Sequence, residues 1–267
     1  MTGMATIEGT MDSKADRPNW ESAQTTLEMR GVHAAYHGDI SILNGLSMAI
    51  KEHQITGIIG PNGAGKSTAL KTMYGFLKPS QGSIVLNGQD ISASPPYDMM
   101  ARGVAFVPQN RSLFNELTVE DNLRLGCWIF RKDRRKVETA LESVYSRFPI
   151  LKEKRRDLAG SLSGGQQRFV ELGRALVVDP KIIMLDEPTA MIAPRISREI
   201  YHFIETLPEQ GITVVLVDQN VRQCTKVSDY IYILDLGRNR GEGTTKRFSH
   251  DDHLKEMVAE WLDYQID

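Results

Sequence analysis

Cysteine is nearly absent. Two residues in 267, Cys127 and Cys224, have neither CxxC nor His-paired spacing. That excludes a disulfide framework or a thiolate metal centre, and both read as reduced thiols. No apolar run approaches the roughly 18 residues of a membrane-spanning helix, and the first twenty residues lack the apolar stretch of a signal peptide. The chain therefore reads as soluble and intracellular. It also lacks a charge excess: 32 Lys and Arg face 34 Asp and Glu, a formal net charge of −2. Without a basic surplus nothing marks nucleic acid as a partner. The length allows one large α/β domain or two modest ones, either with a real core.

What is present is organised around residues 55 to 68. An apolar run of strand composition, Ile55 to Ile59, breaks into the turn Gly60-Pro61-Asn62-Gly63-Ala64-Gly65 and opens a helix at Lys66-Ser67-Thr68. The spacing Gly60-xxxx-Gly65-Lys66-Ser67 is that of a phosphate-binding loop, in which glycines let consecutive backbone N–H groups turn towards an anion. The helix N-terminus adds positive potential. Lys66 would reach β- and γ-phosphates as a point charge, and the Ser67 hydroxyl would serve a Mg²⁺ ion. The alternative is an ordinary Gly-rich strand-to-helix turn.

Residues 1–24 are polar and aperiodic and read as a flexible tail with no assigned chemistry. Leu27, Met29 and Val32 then alternate with polar residues in a strand pattern that ends near Tyr36, and a second strand is expected over Leu46 to Ile50. The Tyr36 ring could stack on a flat heteroaromatic base or merely pack a strand end. Residues 82–88 read as a short strand closed by the Asn87-Gly88 turn. Val104 to Val107 reads as another strand, delivering Gln109 to a loop where it could meet a metal or a γ-phosphate, or simply solvent. Thr118 to Asp121 has the capping-box pattern. Val137, Leu141, Val144, Tyr145 and Phe148 recur at helical spacing, so residues 112 to 160 read as a helical subdomain. Its basic runs at 131–136 and 152–156 read as solvated helix faces, with an acidic partner surface as the alternative.

A second constellation begins at Leu162-Ser163-Gly164-Gly165-Gln166. Ser163 and Gln166 form a capping box ahead of an amphipathic helix, but this leaves two glycines in the first turn unexplained. Bare N–H groups and a hydroxyl at a helix start make a second anion site. Lys181 to Leu185 is a buried strand running into Asp186-Glu187. Asp186 would complete a Mg²⁺ shell with Ser67, and Glu187 would orient or deprotonate an attacking water. The strand Ile212 to Val217 brings Gln219 towards the same sheet edge, where parallel sheets bind ligands. Tyr230 to Leu234 reads as a further strand, 237–243 as a turn-rich return, and 251–262 as a terminal helix.

With these motifs in this order, the chain resembles the ATP-binding cassette (ABC) ATPases from about Thr25 onward. Gly60 to Thr68 matches Walker A, Leu162 to Gln166 the LSGGQ signature, and Ile182 to Glu187 Walker B with its following Glu. The resemblance implies an α/β P-loop NTPase fold with a RecA-like core at 25–111 and 160–248. An antiparallel β layer, an inserted helical subdomain at 112–159 and a C-terminal helix at 249–267 complete it. It implies ATP and Mg²⁺ as ligands, Tyr36 as the adenine-stacking ring, Gln109 as the Q-loop residue and metal contact, and Glu187 as the catalytic carboxylate. It further implies a head-to-tail dimer with a second ABC ATPase subunit, a copy or a sister chain, in which Ser163, Gly164, Gly165 and Gln166 close over the partner's ATP. Transmembrane permease subunits would hold the chain on the cytoplasmic face of the cell membrane, with an external substrate-binding protein as an indirect partner.

Within the family, 111–123, 147–151, Ala193-Pro194 and 217–220 resemble LivF-type subunits of branched-chain amino acid importers; urea and amide importer ATPases look similar there. Gln219 stands where most of the wider family has a switch His, as is usual in this subgroup; Gln can hydrogen-bond a γ-phosphate but cannot shuttle a proton. Gln109 follows the wider family rather than the Glu frequent among LivF-type chains. Met191 resembles a Gly position, so a left-handed backbone there would be strained. A soluble remodelling ATPase is the rival class. Against it stand the short Lys66–Ser163 interval, the single cassette and the near-neutral charge.

Overall fold

The structure, a computed structural model, describes residue 17 and residues 19–36 and 41–248. The terminal helix expected over 251–262 lies outside the described residues.

Two sheets form the body. Strands β1 (Thr25–Ala35), β2 (Ser41–Lys51), β4 (Gln81–Leu86) and β5 (Gln89–Asp90) make an antiparallel layer in the order β2-β1-β4-β5. The six-stranded sheet runs β10-β9-β3-β8-β7-β6, with β3 (Ile55–Ile59), β6 (Val104–Val107), β7 (Ile182–Asp186), β8 (Thr213–Val217), β9 (Tyr230–Asp235) and β10 (Arg238–Thr244). All its pairings are parallel except β9 with β10, where the expected turn-rich return over 237–243 is instead a paired edge strand.

The apolar runs lack a polar alternation because both faces of this sheet are covered. Ile183, Leu185, Val214 and Leu216 point into one core with the helices; Ile182, Met184, Val215 and Val217 point into the other, against the antiparallel layer and helix α1 (Lys66–Met73). The helical segment comprises α3 (Val119–Gly126), α4 (Arg134–Arg147) and α5 (Pro149–Glu153), following the short α2 (Pro96–Ala101). Thr118 caps α3 by accepting from the Asp121 amide, and α4 buries Val137, Leu141, Val144 and Tyr145. Helix α6 (Gly164–Leu176) crosses against α3, and α7 (Pro194–Thr206) and α8 (Val221–Val227) complete the layer. Arg131, Lys132, Arg134, Arg135 and Lys136 are exposed, as a solvated face requires.

Arg17 and Trp20, which fall in the expected tail, are packed. The Arg17 guanidinium pairs with Asp229 at 2.8 Å and donates to the Glu205 carbonyl at 2.7 Å, and the Trp20 ring stacks on Tyr230 at 4.1 Å. Asp229 also accepts from the Ile55 amide, so this segment is fastened to the start of β3.

In the order β3-β8-β7-β6 the carboxyl ends of four adjacent parallel strands release four loops at one edge. These carry Gly60, Gln219, Glu187 and Gln109, residues distant in sequence and neighbours only through strand order.

Candidate functional site

The loop after β3 needs glycine for reasons visible in its surroundings. Gly60 has φ +149°, and a Cβ on it would lie 2.1 Å from the Leu234 carbonyl oxygen. Gly65 occupies the N-cap of α1 in the left-handed region and supplies no side-chain cap, so the first amides of the helix are left for an external acceptor. Lys66 curls back over the loop, its Nζ donating to the carbonyls of Gly60 at 2.7 Å and Pro61 at 3.0 Å. Burial lowers its pKa, opposed by the negative charges of Glu187, Asp186 and Asp218. An ammonium stripped of water and facing carboxylates is poised for a stronger anion.

Ser67, on the next residue of α1, donates its hydroxyl to Asp186 at 2.8 Å. Asp186 is buried, which raises its pKa, while the Ser67 hydrogen bond and the nearby Lys71 and Lys66 charges act the other way. No group of three or more His, Cys, Asp or Glu side chains gathers as a metal site among the described residues. The donor set of one hydroxyl and one carboxylate is hard and oxygen-only, which fits a Mg²⁺ ion completed by phosphate oxygens and water.

Glu187 is the centre of the site. It is 6% exposed, has φ +46°, and its amide donates to the Val217 carbonyl, which ties the end of β7 to the end of β8. Gln109 Nε2 donates to one carboxylate oxygen at 2.6 Å and Gln219 Nε2 to the other at 2.8 Å. Gln109, expected as a metal contact, turns its amide nitrogen to Glu187 and keeps its carbonyl oxygen, the atom through which an amide binds a hard cation. A cavity of about 380 Å³ opens beside Glu187, between Thr189, Arg198, Asp218 and Gln219.

Asp218, which the sequence did not single out, lines the cavity beside Glu187. It is buried, accepts from the Tyr201 hydroxyl at 2.7 Å and the Asn220 amide at 2.8 Å, and has a pKa pushed up to about 6, chiefly by burial. A carboxylate ending an apolar strand, the same pattern as Asp186, was the signal that could have found it. Thr189 donates to Tyr201, so a hydrogen-bonded chain joins the loops after β7 and β8.

Tyr36 follows directly after β1 with 44% of its surface exposed, its hydroxyl 3.3 Å from Lys71 Nζ. Met191 has φ +58° and is fully exposed, so the anticipated strain is present and no packing compensates it.

Ser163 and Gln166 form the capping box in both directions. The glycines between them have separate causes. A Cβ on Gly165 would lie 2.6 Å from Ile196 of α7, so helix packing within the chain already calls for glycine there; one on Gly164 would lie 2.6 Å from the end of the Arg111 side chain. Among the described residues no hydrogen bond joins 163–166 to the phosphate loop, and the two anion-type helix starts remain separate.

The family model described as ABC transporter matches residues 43–190, more than half of the chain. The branched-chain amino acid transport ATP-binding protein BraG of Pseudomonas aeruginosa is 40% identical over 205 residues, 77% of this chain and 87% of that one. A probable LivF protein of Archaeoglobus fulgidus is 34% identical over 230 residues, 86% and 97%. The lipopolysaccharide export ATP-binding protein LptB of Escherichia coli is 35% identical over 235 residues, 87% and 96%. Among solved structures, an ATP-binding cassette in its ADP conformation superposes with a TM-score of 0.78 at 29% identity, covering 88% of this chain and 99% of the other. The phosphate loop, the carboxylates ending β7 and the signature helix therefore have one shared explanation: the chain belongs to the ABC transporter ATP-binding family and is a nucleotide-binding ATPase subunit.

Proposed function

We propose that this ATPase energises uptake of branched-chain or related amino acids, working on the cytoplasmic face of the membrane with permease subunits and a second ABC ATPase chain. The substrate class is supported by what BraG and LivF are named for. The observation that carries the chemistry is the Glu187 carboxylate held between two amides. Each of its oxygens accepts from a different Gln, which fixes the carboxylate plane while lone pairs remain to take a proton from water.

ATP would lie with its phosphates against the amides of the 60–65 loop and its adenine on the exposed Tyr36 ring. Lys66 exchanges the Gly60 and Pro61 carbonyls for β- and γ-phosphate oxygens, gaining charge attraction with its desolvation already accomplished. Ser67 and Asp186, with the Gln109 carbonyl oxygen, would hold Mg²⁺, which when bound neutralises charge on the phosphate oxygens. Glu187 orients the water in line with the γ-phosphate, and Gln219 hydrogen-bonds that phosphate without transferring a proton. Ser163, Gly164, Gly165 and Gln166 present a second set of donors to ATP held by the facing subunit, which gives each site groups from both chains. No helix among the described residues is long and apolar enough to cross a membrane.

The test is capture of tagged Glu187→Gln chain from its own membranes with ATP and Mg²⁺, followed by identification of the bound subunits. Two permease subunits, a sister ATPase and a binding protein for aliphatic amino acids support the proposal. Soluble partners alone sink the transport assignment. The LptB likeness favours export as a second reading, which membrane subunits without any substrate-binding protein would support.

A further inference from the structure

We infer that the buried Arg168–Glu171 pair fastens the 108–112 loop to α6, and that Arg168 is the positioning residue through which the Gln109–Glu187 cluster and the Ser163 helix start move as one body. The inference rests on the ATP reading above and adds a mechanical link between the two halves of the site.

Arg168 lies in the second turn of α6, five residues after Ser163, with its side chain 4% exposed. One nitrogen donates to Glu171 at 2.9 Å and to the Pro108 carbonyl at 3.0 Å; the other donates to the Gln109 carbonyl at 3.1 Å and comes within 3.5 Å of the Glu187 carbonyl. Three carbonyls from two sequence-distant loops thus converge on one guanidinium. The Glu171 carboxylate, 1% exposed, accepts from both the amide and the hydroxyl of Ser112, and Arg174 donates to the Ser112 carbonyl at 2.8 Å. Arg111 adds a bond to Gln167. The loop that carries Gln109 is therefore held at Pro108, Gln109, Arg111 and Ser112 by side chains of α6, besides the Gln109 bond to Glu187.

A buried ion pair is weak grounds for a stability role, since apolar residues of similar volume often serve as well or better. The acceptors here point elsewhere. Backbone carbonyls of two loops buried together need a donor, and a planar fork with five N–H groups reaches these carbonyls and the Glu171 carboxylate from two nitrogens at once, where an ammonium has one nitrogen and three N–H groups. Any displacement of Gln109 or Glu187 on engaging a nucleotide is transmitted to α6 and its Ser163 end, because the shared donor breaks several hydrogen bonds if it does not follow.

The experiment follows amide hydrogen exchange in the full chain, kept monomeric by dilution and checked by light scattering, with and without ATP and Mg²⁺. It compares the unaltered chain with Arg168→Lys and with the double variant Arg168→Leu/Glu171→Leu. The double variant removes both charges of the pair, with Arg174 losing the Glu171 charge beside it; the Lys variant keeps the charge and removes the fork. In the unaltered chain, ATP protects 60–68 and changes exchange at 106–114 and 162–170 together. In both variants the response at 60–68 persists and that at 162–170 is lost. An undiminished response at 162–170 in the variants overturns the inference, as does an unaltered chain in which only one or neither of 106–114 and 162–170 responds. Absence of protection at 60–68 in all three proteins instead removes the ATP reading, a failure distinct from loss of coupling.

Discussion

Glu187→Gln is the perturbation whose consequences the structure fixes most closely. The substitution is isosteric, so the cavity beside it and the Val217 contact of its amide are unchanged. The carboxylate accepts two hydrogen bonds, from Gln109 and Gln219. A glutamine in its place offers one oxygen and one NH₂, so one neighbour must flip its own amide to present oxygen, which a Gln does without moving its stem. Each bond to a charged acceptor, worth about 2 kcal/mol net, becomes a neutral one worth about 1. The loss of about 2 kcal/mol is offset by removing a buried charge, and the net change in stability is about 1 kcal/mol or less. Chemistry responds differently. Loss of a positioned base lowers turnover by about 10²–10⁴, or about 3–5 kcal/mol of barrier. Phosphate release under saturating ATP measures turnover, fluorescent-nucleotide titration measures affinity, and a thermal melt measures stability. A variant that hydrolyses ATP within about threefold of the unaltered chain refutes the assignment of Glu187 as the base. One that fails to fold refutes the flip argument.

Three further outcomes follow from the same geometry. Gly60→Ala places a methyl 2.1 Å from the Leu234 carbonyl oxygen, so either β9 or the loop must move. Nucleotide affinity falls by more than about tenfold, since loop amides act only when aligned, and a normal dissociation constant by titration would show that the loop tolerates the displacement. Met191→Gly relieves a left-handed backbone costing about 1–2 kcal/mol and adds about 0.5–1 kcal/mol of unfolded-chain entropy. The urea midpoint therefore rises slightly, and a fall would contradict the assigned strain. Asp218 has its pKa raised from 3.8 to about 6 in the fold, so the folded state binds the extra proton. Its contribution is fully present below about pH 4 and is lost as pH rises to about 6, at most about 3 kcal/mol. Asp218→Asn removes that component from a urea-unfolding series across this range; an unchanged slope would place the titration elsewhere.

The sequence by itself determined the chemistry that is local. The Gly60–Thr68 loop, the Ser163 capping box, the α3 cap at Thr118 and the carboxylates ending β7 are each written in a few consecutive residues, because strand endings, caps and tight turns are governed by neighbours along the chain. The strain at Met191 was legible only through the resemblance that places a Gly at that position. The tertiary structure decided what depends on neighbours in space. Strand order β3-β8-β7-β6 brought Gln109 and Gln219 onto Glu187, 78 and 32 residues away in the chain. It turned the Gln109 amide nitrogen to the carboxylate, a contact that no stretch of the chain around Gln109 indicates. Gly165 owes its identity to Ile196 on another helix, and Arg17 finds Asp229 across 212 residues. Arg168 carries no local signal, since a charged residue in a helix ordinarily faces water. Its burial exists because α6 is covered by the Gln109 loop and the end of β7 at once, a fact of packing that no window of the sequence contains.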